Sequence, residues 1–212
     1  MQAANADNPI RVLTVDDHPA LRDGIAAIVN CELDMVIAGE ASNGEEAVEA
    51  FQRLRPDVTL MDLQMPGMNG VDAISTIRAD APNARIIVLT SYVGDVPAAR
   101  ALKAGASAYL LKTTLRTDLI DTIRAVHAGR RQVAHEIAQE IALHAGDEPL
   151  TKREMEILRL VANGQANKEI AWSLSVSDDT VKGNMKSIFG KLGVNDRAHA
   201  VATAFRRGVL HF

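Results

Sequence analysis

Apolar, β-branched runs recur along the first part of the chain at 10–15, 35–38, 57–61, 85–90 and 107–111. Between them, at about 19–30, 44–54, 70–79, 95–104 and 115–127, apolar residues return every three to four positions, the spacing of a helix with one buried face. Five strand–helix units with short connections predict a doubly wound, five-stranded parallel sheet covered on both faces. The alternation stops at Gly129-Arg130-Arg131. Residues 132–144 put Ile137, Ala138 and Ile141 on one helical face, and Gly146-Asp147-Glu148-Pro149 then breaks the chain, so a linker helix and a loop are expected there.

After Leu150 the pattern is helical throughout. Thr151 and Glu154 have the spacing of a capping box ahead of the apolar face Ile157, Leu158 and Val161, and Asn163-Gly164 closes that helix. A short helix over 168–174 follows. Ser177-Asp178-Asp179 opens a third helix that runs to about Lys191 and is stopped by Gly193; a fourth runs from about Asn195 to Arg207. The expected organisation is an α/β domain over 8–128, a linker helix and loop over 129–148, and an all-α four-helix domain over 149–212.

In an open parallel sheet the carboxyl ends of neighbouring strands converge on one crevice. The flavodoxin-like order 2-1-3-4-5 sets strands 1 and 3 side by side, which brings Asp16, Asp17 and Asp62 together there. Three gathered carboxylates repel one another and make sense around a cation. An all-oxygen site with room for water suits Mg²⁺, held by Asp16, Asp17 and Asp62 with the Gln64 main-chain carbonyl as a further ligand. Thr90 and Lys112, at the ends of the fourth and fifth strands, remain as donors for an anion, and Asp62 is the carboxylate placed to accept a phosphoryl group. Each residue has a plainer reading: Asp16-Asp17 ahead of Pro19 as a helix cap, Asp62 as a loop residue, Lys112 as a solvated lysine. Complementary groups at four strand ends favour the pocket. His18 is read as a loop residue without chemistry, and Tyr109 as either surface or core.

Charge divides the chain as the pattern does. Residues 1–148 carry 13 Lys and Arg against 21 Asp and Glu, a net of −8, and residues 149–212 carry 10 against 6, a net of +4. A basic helical domain behind an acidic one is a candidate for nucleic acid. Cys31 is the sole cysteine, so no internal disulfide forms, in keeping with a reducing cytosol. The first nine residues lack the apolar core of a signal peptide and no apolar run is long enough to span a bilayer, so a soluble cytoplasmic protein without membrane partners is expected.

Residues 10–127 resemble a receiver domain of two-component response regulators. The matching positions are the pair Asp16/Asp17, Asp62 within Met61-Asp62-Leu63-Gln64-Met65-Pro66, Thr90, Tyr109 and Lys112. The resemblance implies phosphorylation of Asp62 by a sensor histidine kinase, with Thr90 and Tyr109 as switch residues. The sequence departs from it at Thr113, where receivers often carry a cis-bonded proline. Residues 150–208 resemble the LuxR-type helix-turn-helix of the NarL/FixJ subfamily through Leu150-Thr151-Lys152-Arg153-Glu154, Asn167-Lys168-Glu169-Ile170-Ala171, Ser177 with Thr180-Val181-Lys182, and Lys191-Leu192-Gly193-Val194 with Asp196-Arg197.

The helix over 178–191 is then the DNA reader, docking in the major groove with Thr180, Lys182, Gly183, Asn184, Lys186 and Lys191 outward and Val181, Met185, Ile188 and Leu192 inward. Gly183 costs about 1 kcal/mol in a helix interior, and its bare backbone leaves room for close approach to DNA. Asn184 stands where the family commonly has histidine. The active form is expected to be a homodimer on promoter DNA, with Ala200 and Ala204 of the last helix allowing two such helices to approach. A solvated lysine face is the plainer alternative. Two other functions compete: a phosphohydrolase of the haloacid dehalogenase type, which needs an acid where Gln64 stands, and an unphosphorylated scaffold, which has no use for the complete acid and lysine set. A non-enzymatic phosphoacceptor with at most slow self-dephosphorylation is expected.

Overall fold

The computed structural model describes residues 8–91, 95–133, 135–144 and 146–210. They form two compact units, one of residues 8–91 and 97–138 and one of residues 95–96 and 139–210.

The first unit is the parallel sheet with its helices. In chain order it comprises β1 (Ile10–Val15), α1 (Pro19–Asn30), β2 (Met35–Ala41), α2 (Gly44–Leu54), β3 (Val58–Asp62), α3 (Gly70–Asp80), β4 (Ile86–Thr90), α4 (Asp95–Ala104), β5 (Ala108–Leu111) and α5 (Leu115–His127). A single 3₁₀ turn, Lys112–Thr114, joins β5 to α5. Every residue of β3 and β4 is buried, as in a strand covered on both faces. The order is β2-β1-β3-β4-β5-β6, the expected arrangement with one strand added. That sixth strand, β6 (Gln132–Val133), pairs parallel with β5. Residues 132 and 133 were expected in the linker helix, which instead begins later as α6 (His135–Leu143). Two residues carry no alternation for a sequence pattern to register. Their place is fixed by β5, where the Gln132 N–H donates to the Ser107 carbonyl at 3.1 Å.

Two glycines set the loop that follows Asp62. A Cβ on Gly70 would stand 2.0 Å from the Asp62 carbonyl oxygen, and one on Gly44 would stand 2.4 Å from the Met68 carbonyl oxygen. Contacts so close exclude any side chain, so α3 starts directly against the end of β3 and α2 directly against the loop.

The second unit continues with α7 (Lys152–Ala162), α8 (Asn167–Ser173), α9 (Asp178–Leu192) and α10 (Arg197–Arg206). Thr151 and Glu154 form the expected capping box. Ser177 accepts from the Thr180 N–H at 3.1 Å to open α9, and Gly193 closes it in the left-handed conformation. Val181, Met185, Ile188 and Leu192 pack inward as expected, with Ile157, Leu158 and Val161 of α7. The expectation for α10 is corrected. Ala200 and Ala204 are completely buried in this core, while Val201 and Phe205 are only partly buried against it. Four alanines on several faces give α10 no apolar stripe, so its orientation is decided by the surrounding helices.

Candidate functional site

Asp16 and Asp62 follow or end adjacent strands and are almost wholly buried, and Thr90 at the end of β4 is buried beside them. Lys112 follows β5 and extends its ammonium to 2.7 Å from Asp62 Oδ2 and 2.7 Å from Asp16 Oδ2. Sequence placement therefore brings the four groups to one crevice. Burial pushes the Asp62 carboxyl above the usual carboxylate range and the Asp16 charge adds to this, while Lys112 opposes both. Burial likewise works against the Lys112 charge, yet its pairing with Asp16 and Asp62 raises its affinity for the proton overall. Gln64 takes part through its main chain, its N–H donating to Asp62 Oδ1 at 3.2 Å. Its side chain is exposed.

The acidic pair does not cap α1. His18 occupies the capping position with no side-chain capping bond, leaving the carboxylates to the crevice. Asp16 Oδ2 and Asp17 Oδ1 are covered atoms without a hydrogen-bond partner, and their close contacts are ionic, to Lys112 and to His18 Nδ1 at 2.7 Å. Carboxylate oxygens of Asp16, Asp17 and Asp62 lie within 4.8 Å of one another, with a ring nitrogen of His18 in the same cluster. Buried, under-satisfied oxygens at such spacing fit a hard divalent cation.

Tyr109 is resolved in favour of the core. The ring is 1% exposed, and burial pushes its phenol up to about 12, against the opposing effect of the Thr90 hydroxyl beside it. The two residues lie on neighbouring strands, β4 and β5, so a displacement of one bears on the other.

Three supports have no local sequence signal. Both carboxylate oxygens of Glu45 accept the Met68 N–H, at 3.0 and 3.1 Å, fastening the loop after Asp62 to the first turn of α2. Arg22 donates to the Asp16 carbonyl at 2.6 Å and pairs with Glu40 at 3.0 Å, bracing the corner that carries the acidic pair. His18, expected to be a loop residue without chemistry, sits in the cluster itself.

On α9, Thr180, Lys182, Gly183 and Lys186 are exposed and Asn184 is half-buried. Lys182 is not a free cation, since Asp178 and Asp179 hold its ammonium at 2.8 and 3.3 Å. Asn184 folds back, donating to the Thr180 carbonyl at 2.8 Å. Lys186 has no carboxylate partner among the described residues, and a Cβ on Gly183 would meet nothing within 4 Å. Lys191 belongs inside and not on the outer face. It is 11% exposed and pairs with Glu148 at 3.1 Å and Glu154 at 3.0 Å. Glu154 also takes the Ser187 hydroxyl at 2.6 Å and the Thr151 N–H at 2.7 Å, binding the start of α7 to α9.

No helix among the described residues is long and apolar enough to cross a membrane. Residues 12–124 match the family model of the response regulator receiver domain, and residues 148–204 match that of the bacterial regulatory proteins of the luxR family. The transcriptional regulatory protein LiaR of Bacillus subtilis is 40% identical over 210 residues, covering 95% of this chain and 100% of LiaR. The response regulator protein VraR of Staphylococcus aureus (strain NCTC 8325) is 38% identical over 206 residues, covering 95% of this chain and 99% of VraR. Among solved structures, the response regulator ChrA of a heme-sensing two-component system aligns with a TM-score of 0.58 at 33% identity, over 96% of this chain and 100% of ChrA. The response regulator RcsB in its complex with DNA aligns with a TM-score of 0.66 at 26% identity, over 94% of this chain and 99% of RcsB. With an acidic crevice in one unit and a lysine-bearing third helix in the other, the chain belongs to the response regulators, phosphorylation-controlled regulators of transcription that join a receiver domain to a luxR-type DNA-binding domain.

Proposed function

We propose that Asp62 is the phosphoacceptor, that the donor is a phosphohistidine of a sensor histidine kinase, and that the phosphorylated protein binds promoter DNA as a homodimer in the cytoplasm. The observation that carries this reading is the buried Asp62 carboxylate held 2.7 Å from Lys112, next to under-satisfied oxygens of Asp16 and Asp17. In the transfer, a carboxylate oxygen of Asp62 bonds to phosphorus, the phosphorus–nitrogen bond of the donor breaks, and the freed imidazole nitrogen keeps the electron pair. Asp16, Asp17 and Asp62, with the Gln64 carbonyl, would hold Mg²⁺. When bound, Mg²⁺ supplies positive charge against the carboxylates and the phosphoryl oxygens. Lys112 follows the negative charge from the carboxylate to the phosphoryl group, and Thr90 donates its hydroxyl to a phosphoryl oxygen.

The switch is a population shift, driven by whatever the phosphoryl group binds better in one state than the other. Tyr109, packed inside against Thr90, transmits the displacement toward the outer part of the sheet. The position two residues beyond Asp62 carries the Gln64 amide in place of an acid, so the chain provides no general acid for turnover and loses its phosphoryl group slowly. Dimerisation supplies the second half-site that a domain of this size needs, because one small module covers little DNA and two linked copies gain effective concentration. RcsB, whose structures include dimers on DNA, supports the same arrangement here.

Incubation with a small-molecule phosphodonor tests the acceptor. The intact protein should gain one phosphoryl mass only when Mg²⁺ is present, and Asp62→Asn should gain none. Normal phosphorylation of Asp62→Asn, or indifference to chelation of the metal, overturns the assignment.

A further inference from the structure

His18 brings an imidazole to the cluster it forms with Asp16, Asp17 and Asp62. Its main-chain N–H donates to Asp16 Oδ1 at 2.9 Å, which ties the residue to the acidic pair. Its ring Nδ1 has hydrogen-bonding geometry toward Asp16 Oδ1 at 3.3 Å. The same atom stands 2.7 Å from Asp17 Oδ1, a covered oxygen that has no hydrogen-bond partner. A ring nitrogen carries at most one proton, and here its direction is toward Asp16. Nδ1 and Asp17 Oδ1 are thus two basic atoms in close contact with no proton on the line between them. With 71% of the side chain exposed, a proton moved to Nε2 is solvated, and Nδ1 is left with a bare lone pair.

The spacing matches shared ligation. Two neighbouring ligands of an octahedral ion, each at about 2.1 Å, stand about 3 Å apart. The separations of Nδ1 from Asp17 Oδ1 and Asp16 Oδ1 fall on either side of that value. Lys112 engages the Oδ2 atoms of Asp16 and Asp62, so the Oδ1 atoms of Asp16 and Asp17 remain for His18 and a cation. We propose that His18 Nδ1 is a nitrogen ligand of the crevice, which admits borderline divalent ions of the first transition row, Fe²⁺ to Zn²⁺, in place of Mg²⁺. The inference rests on the metal-binding reading of the crevice and adds ion selectivity to it. Mg²⁺ favours carboxylate, carbonyl and water oxygens and gains little from an imidazole, whereas Fe²⁺ to Zn²⁺ favour one. An imidazole that merely steadied the carboxylates would strengthen both classes of ion alike.

Co²⁺, whose visible absorption reports its ligands, is the probe. Calorimetric titration of the full-length protein with Mg²⁺ and, separately, with Co²⁺ gives both affinities. His18 makes no side-chain capping bond to α1, so replacing it removes no cap. His18→Ala should bind Co²⁺ about tenfold or more weakly, the lower bound for losing a group that supports a metal site, with Mg²⁺ affinity unchanged. His18→Asn, which offers oxygen where the nitrogen stood, should not restore Co²⁺ affinity. Co²⁺ held by histidines elsewhere on the chain would not be displaced by Mg²⁺, so the part of the absorption band that excess Mg²⁺ removes isolates the crevice. That displaceable band should lie at a different wavelength in both variants.

Equal losses of Mg²⁺ and Co²⁺ affinity, or Co²⁺ affinity unchanged in His18→Ala, overturn the proposal. So does a displaceable Co²⁺ band that His18→Ala leaves in place. A wild-type protein that binds neither ion instead overturns the underlying metal-binding reading of the crevice.

Discussion

Lys112 holds its ammonium 2.7 Å from Asp62 Oδ2, and the same ammonium neutralises Asp16 at an equal distance. One cation thus serves two buried carboxylates. Removing it leaves both uncompensated, whereas removing Asp62 relieves a like-charge contact and the burial of one charge. Lys112→Met should destabilise the receiver unit by about 3–5 kcal/mol, the usual cost of stripping one partner from a buried ion pair. Asp62→Asn should cost little or even stabilise. Urea unfolding of the two variants, followed by circular dichroism, checks the asymmetry. Equal losses would mean that the pocket is not electrostatically strained.

The Thr90–Tyr109 contact leads to a separation of phosphorylation from response. Thr90→Ala retains Asp62, Lys112 and the acidic pair, so it should still take a phosphoryl group, at a reduced rate, but lose most of the phosphorylation-induced gain in DNA affinity. Mobility-shift titrations before and after phosphodonor treatment measure that gain. A Thr90→Ala protein that responds fully would place the relay elsewhere.

The receiver pocket was legible in the sequence because strand ends are. Once the apolar runs fix the topology, residues 16, 62, 90 and 112 have no choice but to converge, and their chemistry needs only that convergence. Contacts between residues far apart in sequence lacked any such rule. Glu45 clamps Met68 across 23 positions, and Lys191 reaches Glu154 across 37, with no periodicity to announce either. Helix α9 shows the limit most clearly. Its inward face was readable from spacing, but a lysine on a helical wheel carries no label for its partner, so Lys182, Lys186 and Lys191 looked alike. Among the described residues, one is paired with two carboxylates, one has no carboxylate partner and one is largely covered and paired with Glu154.

That distinction orders the expected salt dependences. Lys186→Ala should reduce the slope of log affinity against log salt by about 1, as for the loss of one phosphate contact. Lys182→Ala should reduce it less, because Asp178 and Asp179 already compensate its charge. Gly183→Ala provides the complementary probe. No atom lies within 4 Å of the new methyl, so α9 should gain about 0.5–1 kcal/mol of stability, while DNA binding weakens if the backbone is approached closely. Thermal unfolding and fluorescence anisotropy on the same preparations measure both. Unchanged affinity would mean that Gly183 is not at the DNA surface.

Glu154 makes the join between α7 and α9 sensitive to acid. Burial disfavours its charge, but the Ser187 hydroxyl, the Thr151 N–H and the Lys191 ammonium outweigh that and hold the carboxyl at about 2, against an ordinary value of 4.5. A depressed folded-state value means that the unfolded chain takes up the proton first. The stabilisation is therefore fully present above pH 4.5 and is lost as pH falls from 4.5 toward 2. The helical unit of the wild-type protein should lose stability across that window. Glu154→Gln keeps the shape but not the charge and leaves Glu148 as the one carboxylate beside Lys191 among the described residues, so at neutral pH it should cost about 1–3 kcal/mol. Its acid dependence over the same window should be correspondingly flatter. Denaturation of the full chain at a series of pH values, read by a probe attached to α9, makes the comparison. Parallel profiles for the wild type and Glu154→Gln would show that this carboxylate does not link α7 to α9 energetically.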